Sequence, residues 1–186
     1  MITTGEGMKT KVKKVLVMAV SIILYLCIAG YITLPHLVIY NYTASLPVGW
    51  YWLEPAASLR HGDIILCDAD EDIMQLAVER QWINPNTHFL KCIYGLPGDV
   101  YEIRAHRYIV NGEDKGEIKQ YDSAGRKLPL QPDGKYIVPE GYILTGTSEE
   151  NSFDSRYYGP IPIKNVYNKA HYLCAEFRGW FDGEDL

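Results

Sequence analysis

A mostly β domain carried behind one N-terminal transmembrane helix, with one short helix of its own, is the predicted fold class. Three observations predict it: an uncharged apolar run near the N-terminus, a succession of short apolar segments broken by glycine- and proline-containing turns, and a single stretch with helical spacing. The chain has 186 residues, 47% of them hydrophobic, enough for one anchored domain with a real core and too little for two large ones.

The anchor comes first. Lys9, Lys11, Lys13 and Lys14 precede a stretch in which, counting histidine as neutral, no charge occurs until Glu54. Residues 15–34 (VLVMAVSIILYLCIAGYITL) are almost all apolar. As a helix rising 1.5 Å per residue, that run matches a bilayer core of roughly 30 Å. A cleaved secretory signal is the alternative; its apolar core is about 7–15 residues and ends at small residues, a character that Ala29-Gly30 shares. With an uncleaved anchor, the expected organisation is a cytoplasmic basic N-terminus at 1–14, a single-pass anchor at 15–37 and a domain at 38–186. The lysine cluster stays inside by the positive-inside rule, so that domain lies on the opposite face of the membrane.

The β segments follow at 63–67 (DIILC), 89–94 (FLKCIY), 100–103, 107–110, 135–138 and 142–144. Gly62, Pro97-Gly98, Asn111-Gly112, Asp133-Gly134 and Glu140-Gly141 supply the breaks. Residues 71–82 (EDIMQLAVERQW) predict the helix, with Ile73, Leu76, Ala77 and Arg80 on one face. Residues 108–114 predict a hairpin, and 116–133 a polar excursion or small insert.

Charge and cysteine usage narrow the function. Four of the 18 basic residues and one of the 23 acidic ones fall in residues 1–14, so the rest of the chain is acidic and lacks the basic face that a nucleic-acid partner requires. Cys27 lies in the predicted anchor; Cys67, Cys92 and Cys174 allow at most one disulfide, and core packing is the expected role of each. There is no C-x-x-C, H-E-x-x-H, G-x-S-x-G, P-loop or G-x-G-x-x-G motif, which leaves zinc proteases, α/β-hydrolases and nucleotide-binding enzymes without their signatures.

Four segments carry chemistry only when taken together. In residues 41–53 (NYTASLPVGWYWL), Ser45 sits in an apolar and aromatic setting, followed by Pro47 and Gly49. A serine nucleophile needs a base and its oxyanion needs donors, which the Ser45 backbone N–H and the Thr43 hydroxyl can provide. Read alone, the segment also fits a juxtamembrane linker. In residues 89–99 (FLKCIYGLPGD), strand alternation puts Lys91 on one face with Phe89 and Ile93. Lysines are rarely buried without a partner or a task; to act as a base near neutrality this one must fall well below the usual value of about 10.4, which desolvation accomplishes. A lysine snorkelling to water is the alternative. Residues 60–67 (RHGDIILC) lead a turn into a buried strand. Residues 146–162 (GTSEENSFDSRYYGPIP) offer Asp154 and Arg156 as a buried ion pair, and Ser152 or Ser155 as a hydrogen-bond partner for an amine. With no base histidine beside Ser45, a serine–lysine pairing remains, and it needs no cofactor or metal.

In this order behind one anchor, the segments resemble the signal peptidase I family, the S26 serine peptidases. The family's boxes correspond to Ser45-Leu46-Pro47, to Gly62-Asp63-Ile64, to Lys91 with Gly95-Leu96-Pro97-Gly98-Asp99, and to Gly146 through Asn151-Ser152-Phe153-Asp154-Ser155-Arg156. The resemblance implies Ser45 as nucleophile, Lys91 as general base, Ser152 orienting the lysine amine, Thr43 helping to form the oxyanion hole, and Asp154 and Arg156 supporting the site. One residue rather than two separates Ser45 from Pro47, and the S-x-P-x-G-x-Y run is similar to the TraF-type peptidases of conjugative transfer, which mature pilin subunits. The implied protein is a serine endopeptidase of the bacterial inner membrane, with a periplasmic catalytic domain. Its implied partners are the lipid bilayer and a membrane-tethered propilin or preprotein that pairs as an extended strand. A general signal peptidase, an inactive scaffold of a secretion channel and, last, a self-cleaving repressor of related fold are the rivals.

Overall fold

A computed structural model describes residues 4–29 and 38–175, with side chains from residue 11 onward. The chain falls into two units, Met1–Leu37 and Val38–Leu186.

In the first unit, helix α1 spans Thr4–Ile28. Apolar side chains stand exposed around it, including Leu16, Val17, Val20, Ile23 and Leu24. Among the described residues, no helix is long and apolar enough to cross a membrane. The physical reason is local. Lys11, Lys13 and Lys14 occupy the first half of α1, and the uncharged part, residues 15–28, rises only about 21 Å. The remainder of the expected anchor, residues 30–37, lies outside the described residues.

The second unit is mostly β, as its turn-punctuated sequence predicts. Strands β1 (Val38–Asn41), β2 (Gly49–Pro55), β3 (Ile64–Cys67), β4 (Phe89–Gly95), β9 (Tyr142–Gly146), β10 (Ile161–Pro162) and β11 (Val166–Cys174) build one sheet in the order β1-β2-β11-β3-β4-β9-β10. All of its ladders are antiparallel. The last strand is therefore inserted between the second and third, which ties the start of the domain to its end. A smaller sheet has the order β7-β6-β5-β8, from β5 (Val100–Arg104), β6 (Arg107–Val110), β7 (Glu113–Glu117) and β8 (Gly134–Ile137).

The larger sheet is covered on both faces where the site lies. Ile65, Phe89, Ile93, Ile143 and Leu144 join Tyr101, Tyr108 and Val110 of the smaller sheet in the main core. Tyr51, Leu53, Leu90 and Ala170 form a second cluster. Strand β4 feeds both, Phe89 and Ile93 into one and Leu90 into the other, as side chains that alternate across a strand must.

Helix α2 (Glu71–Glu79) packs Ile73, Leu76 and the fully buried Ala77 onto the main core. It stops short of the predicted Trp82 because Gln81 takes a left-handed φ of 61°, and the Trp82 N–H then turns back to the Ala77 carbonyl. The predicted 108–114 hairpin is β6–β7, turning on Asn111 and Gly112 at φ 52° and 82°. The predicted polar excursion at 116–133 instead folds down: Ile118 and Leu128 are buried in the main core. Asp122 holds Arg126 and Arg80 there, at 2.7 and 3.5 Å. Strands β1, β2, β10 and β11 lie outside the predicted segments, and β7 enters them only as the second arm of the hairpin. β1 and β2 mix exposed and buried aromatics, and β7 (EDKGE) is polar, so neither pattern stands out as a strand without its partners.

Candidate active site

Ser45 is presented by the loop between β1 and β2. Asn41 and Gly49 face each other across its base. Gly49 has φ +147°, and a Cβ there would run into the Cys174 carbonyl, so only glycine lets β11 pass this close. The loop is held from within. The buried Asn41 amide donates from Nδ2 to the carbonyls of Thr43 (3.0 Å), Leu46 (3.0 Å) and Pro47 (3.2 Å). Its Oδ1 accepts from the Thr43 N–H (3.1 Å) and the Thr43 hydroxyl (2.7 Å). The fully buried Tyr51 donates its hydroxyl to the Pro47 carbonyl at 2.8 Å. Ser45 itself is half-buried.

Lys91 projects from β4 on the face shared with Phe89 and Ile93, opposite Ile65 in the ladder, and is only 4% exposed. Its Nζ donates to Ser152 Oγ at 2.7 Å and reaches Ser45 Oγ at 3.5 Å. The first is a short hydrogen bond. The second is about half an ångström longer than proton transfer needs. Nζ also lies 5.6 Å from the centre of the Phe89 ring. Burial pushes the Lys91 amine below its usual value; the Asp154 carboxylate pulls it back upward, and the Arg156 guanidinium works with the burial.

Ser152 is placed by a buried charge pair. Asp154 caps the short helix α3 (Ser155–Tyr158) by accepting from the Arg156 N–H. Its carboxylate also takes Arg156 Nε at 2.8 Å and Nη2 at 2.7 Å, a two-pronged contact between groups that are 0% and 1% exposed. The same Nη2 donates to the Glu149 carbonyl at 2.9 Å, with longer contacts of 3.4 Å to the carbonyls of Thr147 and Ser152. The loop carrying Ser152 is thus wrapped around one guanidinium. Burial acts against that charge, but Asp154 more than offsets it, so Arg156 stays ionised. Of the two serines that the sequence offers as partners for an amine, Ser152 meets Lys91. Ser155 turns instead to β9, where its Oγ accepts from the Thr145 N–H at 2.8 Å.

A groove of about 910 Å³ opens over these groups, walled by Ile39, Trp82, Ile83, Phe89, Leu128 and Phe153. His88 lies along it, but its ring is tied to Asp68 at 2.8 Å, while His61 and His171 meet Asp99 and Glu54. The described cysteines are all free, with Cys67 buried and its thiol pushed up to about 12 by burial. The structure therefore brings Ser45, Lys91 and Ser152 together, with Asp154 and Arg156 behind Ser152. Thr43 lies in the same loop as Ser45, with its hydroxyl directed at Asn41. Sequence reasoning missed Asn41 and Tyr51. The available signal was the N-x-T spacing, in which an Asn side chain accepts from the backbone two residues on.

Comparison with known proteins identifies the family. The family model described as signal peptidase, peptidase S26, matches residues 10–174. A Signal peptidase I from Leptolyngbya laminosa is 27% identical over 173 residues, covering 89% of this chain and 76% of that protein. A conjugal transfer protein TraF from Agrobacterium fabrum is 28% identical over 140 residues, covering 70% of this chain and 78% of that protein. Among solved structures, a signal peptidase I from Enterococcus faecalis aligns with 60% of this chain and 96% of its own length, at 21% identity and a TM-score of 0.37. With its family match running from α1 to the end of β11, the chain belongs to the signal peptidase family, peptidase S26.

Proposed function

We propose that the protein is a membrane-anchored serine endopeptidase that removes the leader or terminal peptide of an exported protein by a Ser45–Lys91 dyad. The observation that carries this reading is the Lys91 amine, sequestered in an apolar groove between Ser45 Oγ and Ser152 Oγ. An amine so desolvated is neutral over more of the pH range, and only the neutral form accepts a proton. Ser152 fixes its direction. Lys91 takes the Ser45 proton as Oγ attacks the scissile carbonyl, and the Ser45 N–H faces the developing oxyanion with Thr43 as second donor once its hydroxyl turns from Asn41. The protonated lysine gives its proton to the departing amine, leaving an acyl ester on Ser45. A water deprotonated by Lys91 then releases the acid and restores the serine. A terminal amine of the substrate itself would do the same with cyclisation of the product.

The anchor reading is supported by the apolar side chains exposed around α1, a pattern suited to lipid rather than water. Exposed Tyr40 and Trp52 on the first two strands suit an interfacial position of the catalytic unit. The substrate proposed is a pilin subunit or another component of a conjugative transfer system. The Ser45-x-Pro47-x-Gly49-x-Tyr51 run and the TraF relative support it. A general signal peptidase I is the second reading, favoured by the relative of that name that covers more of the chain.

The test is incubation of the detergent-solubilised chain with a propilin and with a general preprotein, with mass spectrometry of the products. Cleavage of either, lost by about 10⁴-fold or more in Ser45→Ala and Lys91→Ala proteins of unchanged fold, is expected. Undiminished cleavage by either variant refutes the dyad, and the preferred substrate separates the two readings.

A further inference from the structure

We infer that Asn41 is a positioning residue for the nucleophile, a clamp that shapes residues 42–48 and keeps the Thr43 hydroxyl in reserve; its catalytic half rests on the peptidase reading above. The orientation of the amide is settled by chemistry. Nδ2 faces three carbonyl oxygens, which only accept, so the donor end of the amide must point there and Oδ1 must face Thr43. Asn41 is 5% exposed, anchored by the β1–β2 ladder through its pairing with Gly49, and therefore a rigid base for its amide. The carbonyls it gathers lie on both sides of Ser45, at Thr43, Leu46 and Pro47, so a shift of the Ser45 backbone works against these bonds.

The 3.5 Å separation of Lys91 Nζ and Ser45 Oγ makes this position consequential. A displacement of about 1 Å at a reacting group costs on the order of 10²-fold in rate. Asn41 also accepts the Thr43 hydroxyl proton, so an oxyanion donor would be released from Oδ1 only when a stronger acceptor enters the site.

The discriminating variant is Asn41→Asp, which keeps shape and the acceptor but replaces both N–H donors by an oxygen facing carbonyls. Two measurements on the full chain in detergent micelles test it. Hydrogen exchange of the amides of residues 43–46 and 48 is expected to speed at least about tenfold, with β3 and β4 unchanged; unaltered exchange overturns the clamp. Single-turnover cleavage of a synthetic preprotein-junction peptide, with enzyme in excess, is expected to show a plateau rate constant lower by about 10²-fold. A merely structural role would leave that plateau intact and raise only the enzyme concentration needed to reach it, because the plateau does not depend on the folded fraction. A wild-type plateau in Asn41→Asp beside an inert Ser45→Ala overturns the positioning role alone. No cleavage by the wild-type chain, or cleavage by Ser45→Ala, overturns the peptidase reading and the catalytic half of this inference with it.

Discussion

Two loops converge on Lys91, and each is shaped by one buried side chain that gathers main-chain carbonyls. Residues 42–48 are held by a neutral amide, Asn41, with Tyr51 adding a hydroxyl. The loop preceding α3 is held by a cation, Arg156, that must bring its counter-ion Asp154 with it. The difference teaches where charge is tolerated around a buried lysine. A cation directly in the Ser45 loop would add to the depression of Lys91 without a compensating anion. Behind Ser152 the charge comes as a pair, and the two partners push Lys91 in opposite directions. The neutral clamp serves the serine; the ion pair serves the lysine's partner.

The largest effect is expected where charge is left alone. Asp154→Ala strands the Arg156 guanidinium and should destabilise the protein by about 3–5 kcal/mol. Thermal denaturation reads this at about 2–4 °C per kcal/mol, and a loss under about 1 kcal/mol would mean that the loop does not depend on the pair. Asn41→Ala should cost less, about 1–3 kcal/mol, because the orphaned groups are neutral carbonyls and a hydroxyl. Equal losses at the two positions would erase the contrast between the clamps. Tyr51→Phe removes one hydroxyl from a carbonyl that Asn41 also serves, so a loss of about 0.5–1.5 kcal/mol is expected by chemical denaturation.

Lys91→Met should work in the opposite direction. The folded-state pKa of Lys91 lies below its unfolded value, so between the two the unfolded chain binds more protons and wild-type stability rises with pH. The penalty is present in full below the folded pKa and vanishes above about 10.4. Methionine carries no such penalty. The variant should melt higher than wild type at pH 7, by at least about 2–4 °C, with the gap closing towards pH 10. A gap that does not shrink would place its origin in packing rather than charge. The same depression predicts that cleavage rises with pH through the folded pKa of Lys91, measured as kcat/KM against pH.

Much of this was legible in one dimension. The β4 alternation of Phe89, Lys91 and Ile93 stated that a lysine faces the core, and the Asp154-Ser155-Arg156 spacing stated a local ion pair, since both follow from periodicities of the backbone itself. Turn glycines likewise marked the breaks between strands. The boundaries of α2 and the role of residues 116–133 were not legible. Gln81 adopts a left-handed conformation that its chemistry does not announce, and Ile118 and Leu128 are too sparse to read as core without the surface they cover.

By itself, then, the sequence determined the β-rich class, the family and the identity of the groups near Lys91, because each depends on residue type at short spacing. Only the tertiary structure decided that Asn41 and Tyr51 hold the Ser45 loop and that Ser155 turns to Thr145, leaving Lys91 to the Ser152 that the family resemblance names. Those choices depend on ladders between strands far apart in the chain, above all β4 against β9 and β11 between β2 and β3. Residues distant in sequence become neighbours only when such pairing satisfies the backbone and closes the core, and no local pattern encodes that geometry.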